Sequence, residues 1–461
     1  MKICLKMRIE CIKKTINNRF MIRMILAFLN KVLFNRTTLI ATICIWVLVQ
    51  IFLVYTYYSA ELIGDPGYYV YYATECAHRG TMYPDFMNYH DQYIFAPGWV
   101  NFLTFCIKFF GNVDFVPYLN IIFNIFIVYF IYQIAQKISG GIKSVAYIAV
   151  YVFIVLPANT TMVTTLYSEI FFEVLAIASF YLILKNKYHY WIIAGILIAL
   201  AYWTRPLALA WIIAAVCFLW FTYKKIRIIG VYVISIVITC ITIAYSTRQN
   251  FPDYIYSAST GGVNLIMGAN DLATGLYCYE ARDKGGLGYL PGLYSADEYI
   301  PVKAYATDST FLHKYSNRYS YKECDSIWKA RSVDWILNHP IKWVSMLPYK
   351  TYALFSHSGF YIPNFAHYDN VVVKSYCRVF AIILFKMMIL VVLYGAFVYL
   401  WKTKESIYIL LPIILCSGMT LVTVAMARYN FIMLPNIVIA FAMTLRYLKG
   451  KYLKNSFQQN R

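Results

Sequence analysis

Four charged side chains stand at the ends of long apolar segments, where chemistry at a membrane surface would need them. Asp65 lies in Gly64-Asp65-Pro66-Gly67-Tyr68-Tyr69, directly after the first apolar segment. Glu169 follows Thr164-Thr165-Leu166-Tyr167-Ser168, Arg205 sits in Thr204-Arg205-Pro206, and Arg428 in Ala427-Arg428-Tyr429-Asn430. A carboxylate in such a place can take a proton from a hydroxyl, and a guanidinium can hold a phosphate through paired hydrogen bonds. Lys350 is a third cation of this kind. His90-Asp91, in the loop that follows Asp65, offers a proton relay or metal ligands, with no second histidine at helical spacing to support a metal site.

Each of these residues also has a plainer reading. Asp before Pro is a good helix start, with Asp65 as N-cap, Pro66 at the first helical position and the helix running through Tyr68 and Tyr72 toward Gly80. Glu169 suits the first turn of a helix, where acidic side chains meet the positive end of the helix dipole. Glu173, one turn on, reads as structural unless it faces a cavity. The arginines would then hold lipid headgroups only for packing. Ionisable groups at membrane depth are costly to bury, which keeps the functional reading open for all of them.

The elements that position these residues follow from composition. Of the 461 residues, 61% are hydrophobic and only 13% charged, about half the charge of a soluble domain. Apolar runs of membrane-crossing length recur, so the expected fold class is an all-α polytopic membrane protein with about ten transmembrane helices and additional interfacial ones. The spans are expected at 37–58, 116–136, 144–164, 170–184, 188–204, 206–222, 226–246, 377–400, 406–425 and 429–446. The short gaps between them are basic, as in Lys224-Lys225-Ile226-Arg227, and nine basic residues precede the first span. By the positive-inside rule these gaps and both termini face the cytoplasm. Residues 97–110 are short for a crossing, and counting them as one would turn the basic gaps outward, so they are read as an interfacial helix. Residues 341–355 are read as dipping into the membrane. The expected organisation is a basic amino-terminal segment at 1–36 and a catalytic core at 37–246 with an outer loop at 59–115. A mixed outer region at 247–375, final spans at 376–446 and a basic tail at 447–461 follow. No apolar stretch with a small-residue cleavage site precedes the first span, so no cleaved signal peptide is expected.

Several function classes are disfavoured. The net charge of +20 is spread through cytoplasmic gaps rather than gathered on a surface, so no nucleic-acid partner is expected. No Cys-x-x-Cys pair, Walker sequence or Gly-x-Ser-x-Gly occurs, which leaves zinc, nucleotide and serine-hydrolase sites without support. No cofactor is required by the sequence, and a divalent metal is left open.

The pattern resembles the GT-C superfamily of integral-membrane glycosyltransferases, specifically the protein O-mannosyltransferase and aminoarabinose transferase branch. The resemblance runs along most of the chain. It rests on Asp65 with Tyr69, Tyr72, Ala77, Gly80, Tyr83-Pro84 and Ala96-Pro97-Gly98, and on Leu166-Tyr167-Ser168-Glu169 and Trp203-Thr204-Arg205-Pro206. Val263 to Asn270 with Thr274-Gly275, and Arg428-Tyr429 before Leu434-Pro435, complete it. It implies a polyprenyl-phosphate-linked sugar as donor and an extracytoplasmic acceptor (glycan, lipid or protein), with Asp65 as general base and inversion at the anomeric carbon. Arg205, Arg428 and Lys350 would bind the donor phosphate, and Glu169, His90 and Asp91 would form an acceptor or second acidic site. Members acting on protein often carry paired Asp-Glu where this chain has Asp65-Pro66, a departure that favours a bacterial glycan or lipid acceptor. The implied location is a bacterial inner membrane with the site outside. A transporter or flippase of lipid-linked saccharides, or a glycan polymerase or ligase, would share many of these features. The gathering of polar candidates at one face favours the enzyme.

Overall fold

The computed structural model describes residues 31–58, 64–85, 94–247, 257–270, 273, 321–356 and 371–458. Among the described residues the regular elements are helices, and no strand occurs. The first is α1 (Arg36–Tyr57), which opens on an Asn35 side chain accepting the Thr37 N–H. Then come α2 (Asp65–Arg79), α3 (Pro97–Phe110), α4 (Val116–Ile138), α5 (Lys143–Val155) and the short α6 (Pro157–Thr161). The central helices are α7 (Glu169–Ile183), α8 (Tyr188–Thr204), α9 (Leu209–Tyr223) and α10 (Ile226–Ser246). The remainder are α11 (Gly261–Gly268), α12 (Tyr321–Asn338), α13 (Pro340–Phe355), α14 (Val371–Val398), α15 (Lys404–Val422) and α16 (Leu434–Gln458).

Seven helices are long and apolar enough to cross a membrane, and an eighth crossing is made if α5 and the broken turn after it act as one. A helix lies in each segment expected as a span, but 144–164 is broken at Leu156, and α7 and α8, at 15 and 17 residues, fall outside the candidate spans. α3 is not among the candidate spans; it packs on α2 and α8, in keeping with an interfacial helix. α13 is likewise outside that set. α12 ends at Asn338, directly before His339 and the Pro340 that opens α13. The carboxy-terminal helix runs on to Gln458, beyond the span expected at 429–446.

The bundle is apolar inside and out, as a lipid solvent requires. Ile45, Leu48 and Phe52 on α1, Ile238 and Ile241 on α10, and Ile383, Met387 and Leu390 on α14 are all exposed. With lipid tails as apolar as leucine, helices associate by close packing of small residues. Gly195 shows this between α8 and α10, since a Cβ there would lie 1.9 Å from Ser235 Oγ and 2.7 Å from the Tyr232 carbonyl oxygen.

One helix is broken, and the break bears on the site. Pro157 cannot donate an N–H, and the chain bends by 64° between α5 and the turn 157–164. Carbonyls freed by such a break need donors inside the membrane. Asn159 Nδ2 donates to the Phe153 carbonyl at 2.6 Å, and Asn124 Nδ2 to the Asn159 carbonyl at 2.8 Å. Asn120 Nδ2 donates to the Thr165 carbonyl at 3.2 Å, and Trp99 Nε1 to the Leu166 carbonyl at 2.8 Å. These four buried side chains fix the stretch that delivers Tyr167, Ser168 and Glu169.

Candidate active site

Four points where helices start or stop converge at one end of the bundle. Asp65 is the first residue of α2, with Gly64 as the cap residue at φ 76. This corrects the N-cap reading: the carboxylate does not cap its own helix but reaches across the molecule. Gly80, at φ 73, closes α2 as expected. Glu169 opens α7. Arg205 is a single extended residue after α8, stopped by Pro206 at the start of a 3-10 turn. Gly98 of α3 makes room there, because a Cβ would lie 2.9 Å from the Thr204 nitrogen. Arg428 lies in the 3-10 segment Ala427–Met433 between α15 and α16.

The four charges form one ion-pair chain. Arg428 Nη1 donates to Asp65 Oδ2 at 2.6 Å, and Arg428 Nε donates to Glu169 Oε1. Arg205 Nη2 meets the same Glu169 Oε1 at 2.8 Å, while Arg205 Nε donates to Ser168 Oγ at 2.9 Å. The Tyr167 ring lies under the Arg428 guanidinium, 3.9 Å from its centroid to Cζ, a cation–π contact. Burial differs sharply along the chain: the Glu169 side chain is 0% exposed, Arg205 13%, Arg428 16% and Asp65 42%. The Asp65 carboxylate is therefore the acidic member open to solvent. Tyr69, one turn along α2, is buried; burial first, and then the Asp65 charge, push its hydroxyl above the usual tyrosine range. It stays protonated beside the cluster.

Of the sequence candidates, Asp65, Glu169, Arg205 and Arg428 are thus brought together, although they span more than 360 positions of sequence. Lys350 on α13 is fully buried and otherwise engaged: its ammonium donates to the Gly268 carbonyl at 2.9 Å and the Thr423 carbonyl at 2.8 Å. It ties α11 and α13 to the end of α15, just before the segment that carries Arg428. Glu173 is buried one turn beyond Glu169, and neither of its oxygens has a hydrogen-bond partner. His90 and Asp91 lie outside the described residues. Cys76 and Cys106 are free thiols. No group of three or more His, Cys, Asp and Glu side chains placed to hold a metal ion occurs among the described residues. Ser168, Tyr167 and Tyr69 were not assigned roles from sequence. Their signal was adjacency: two of them directly precede Glu169, and the third is one helical turn from Asp65.

A cavity of about 260 Å³ is lined by Met82, Gly98, Asn101, Phe102, Phe171, Leu200 and Trp203. Its walls come from α3, α7 and α8, the last two of which end next to Glu169 and Arg205. The lining is almost wholly apolar, so it suits a hydrocarbon chain rather than a sugar.

No family model matches the chain, and no curated protein matches it. Among solved structures it is similar to the apo oligosaccharyltransferase of Archaeoglobus fulgidus, with 14% identity and a TM-score of 0.50 over 93% of this chain and 52% of that one. The oligosaccharyltransferase AglB of Archaeoglobus fulgidus, in complex with an inhibitory peptide and a dolichol-phosphate, aligns with 14% identity and a TM-score of 0.49, over 92% and 52% of the two chains. ArnT from Cupriavidus metallidurans bound to undecaprenyl phosphate aligns with 11% identity and a TM-score of 0.39, over 88% and 77%. The likeness is one of fold, and this chain spans about half the length of the archaeal oligosaccharyltransferase.

Proposed function

We propose that this protein is a membrane glycosyltransferase that moves a sugar from a polyprenyl-phosphate donor to an extracytoplasmic acceptor, with inversion and with Asp65 as general base. The observation that carries this reading is a partly exposed carboxylate held by an arginine that a buried glutamate also grips. Such a site provides a proton acceptor and an anion-binding group within one hydrogen bond of each other. The fold shared with an archaeal oligosaccharyltransferase supports the same reading.

In the reaction, the acceptor oxygen attacks the anomeric carbon of the donor as Asp65 takes the hydroxyl proton. The bond from that carbon to the phosphate oxygen breaks, its electron pair leaving with the phosphate. A single displacement on one face of the sugar inverts its configuration. Arg428 and Arg205 stabilise the negative charge growing on the leaving phosphate. Glu169 keeps both guanidiniums turned to the site, Lys350 braces the Gly268 and Thr423 carbonyls just before the segment that carries Arg428, and His90 and Asp91 serve the acceptor side. The apolar cavity between α3, α7 and α8 takes part of the isoprenoid tail. Arginine fits this role because its planar fork can hold a carboxylate and a phosphate oxygen at once.

The test is transfer from radiolabelled polyprenyl-phosphate sugars in membranes carrying wild type or Asp65→Asn. Removing a general base lowers turnover by about 10²–10⁴-fold, so label should reach a new product in wild type only. Near wild-type turnover in Asp65→Asn would end the base assignment. Labelled lipid that changes leaflet without being consumed would point to a transporter instead.

A further inference from the structure

One lysine stands on the outward surface of a membrane span. Lys386 falls inside the apolar window Val379–Val398 of α14, and its side chain is exposed. Ile383, Met387 and Leu390 beside it are exposed apolar residues. Cations at membrane depth are costly, and as a rule they turn to the bundle interior and pair with an acid. Lys386 does neither: among the described residues it has no salt bridge. Its Nζ lies instead over the Tyr352 ring of α13, 5.2 Å from the centroid. That cation–π contact attracts the ammonium and leaves its N–H groups free for an anion. Simple snorkelling does not account for the position. Lys386 is seven residues, about 10 Å of helix, from the Val379 end of the window, further than a four-carbon stem reaches.

α13 stands between this lysine and the ion-pair chain. Met346, Lys350 and Leu354 form its buried face. The Leu354 carbonyl accepts from Asn430 Nδ2 at 2.5 Å, and Asn430 is two residues from Arg428. Tyr349 and Tyr352, one turn apart on the other face, are 65% and 63% exposed. Because Tyr352 is two residues from Leu354, Lys386 sits at the depth of the Arg428 segment, on the far side of a helix about 10–12 Å across.

We infer that Lys386 and Tyr352 form a docking site, on the lipid-facing surface, for the phosphate of a polyprenyl-phosphate lipid before it enters or after it leaves the ion-pair site. The inference rests on the proposed donor chemistry and extends it to the route of the carrier. The ammonium supplies the charge and the Tyr352 hydroxyl a second donor. Depth favours a carrier over a bulk phospholipid. A phospholipid holds its phosphate above glycerol esters, in the headgroup layer. A polyprenyl phosphate joins phosphate directly to hydrocarbon, so its anion can reach Lys386 while its chain lies along Ile383, Met387 and Leu390.

The experiment places photoreactive benzoylphenylalanine at Tyr349, on the same face of α13 as Tyr352, in full-length protein in nanodiscs. It measures adducts with radiolabelled polyprenyl phosphate and with the matching uncharged polyprenol. Lys386→Met should lower phosphate labelling about fivefold, the worth of one lysine against an anionic lipid, while Lys386→Arg keeps it. Methionine suits a lipid-facing position, so the fold is retained. The same drop should appear in an Arg428→Ala background, because the two sites are separate. Polyprenol labelling should not respond to Lys386, and excess phosphatidylglycerol should compete less than unlabelled polyprenyl phosphate. Equal phosphate labelling in wild type and Lys386→Met would overturn the site. So would a Lys386 effect on polyprenol, or equal competition by phosphatidylglycerol, which would assign the lysine to bulk lipid. Lys386-dependent labelling in a protein that fails the transfer test would keep the lipid site and sink glycosyl transfer. Transfer without Lys386-dependent labelling would remove the docking site alone.

Discussion

Asp65 and Glu169 contact the same arginine, yet removing them should have very different effects on stability. Asp65 Oδ2 lies 2.6 Å from Arg428 and its side chain is 42% exposed. Glu169 bonds both Arg428 and Arg205 with no exposure at all. Glu169→Ala leaves two guanidiniums, 16% and 13% exposed, with Asp65 and Ser168 as the hydrogen-bond partners that remain. Breaking a buried pair by deleting one partner costs roughly 3–5 kcal/mol. Asp65→Ala deletes a solvent-screened pair, which contributes about 0–1 kcal/mol. Burial, not distance, separates the two. Thermal unfolding of each variant in nanodiscs, read by tryptophan fluorescence, compares them directly. In domains of 150–250 residues each kcal/mol moves Tm by about 2–4 °C, and by less in a longer chain. Glu169→Ala should therefore lower Tm by several degrees, and Asp65→Ala by no more than about 2–3 °C. Equal drops would refute the argument that exposure, not distance, sets what each carboxylate contributes to stability.

Two further outcomes follow from the same geometry. Arg428→Lys keeps the charge but lacks the planar fork that reaches Asp65 and Glu169 together; kcat/KM for donor should fall about 10–100-fold, or roughly 1.4–2.8 kcal/mol of transition-state stabilisation, and a wild-type value would remove the bridging role. Lys350→Met strips the Gly268 and Thr423 carbonyls of their shared donor, each at a cost of about 1–3 kcal/mol; a lower Tm with unchanged donor KM would assign Lys350 to scaffolding, and a raised KM at normal Tm would assign it to the phosphate.

Much of the architecture was legible in the chain. Hydrophobic run length placed a helix at each expected span, because a backbone in hydrocarbon must satisfy its own hydrogen bonds and a helix does so locally. The shortness of residues 97–110 marked α3 as a helix outside the spans. Gly80 marked a helix end correctly, since a left-handed glycine acts over a few residues. The break after Val155 was folded into a single expected span. Its carbonyls are answered by Asn120, Asn124 and Asn159, which lie up to 45 positions away along the chain, and nothing in the local sequence declares that pairing.

The site divides along the same line. Residue type and position at segment ends singled out Asp65, Glu169, Arg205 and Arg428, because charge at membrane depth is costly and stands out against an apolar background. Which charge meets which was decided only by the fold. Arg428 sits 363 positions from Asp65 and 259 from Glu169, and four helix ends had to converge before these groups could pair. The same convergence set Lys350 on two backbone carbonyls and made Glu169 the buried partner and Asp65 the open one. Ionisable chemistry is written in residue identity, whereas pairing and exposure are properties of three-dimensional packing.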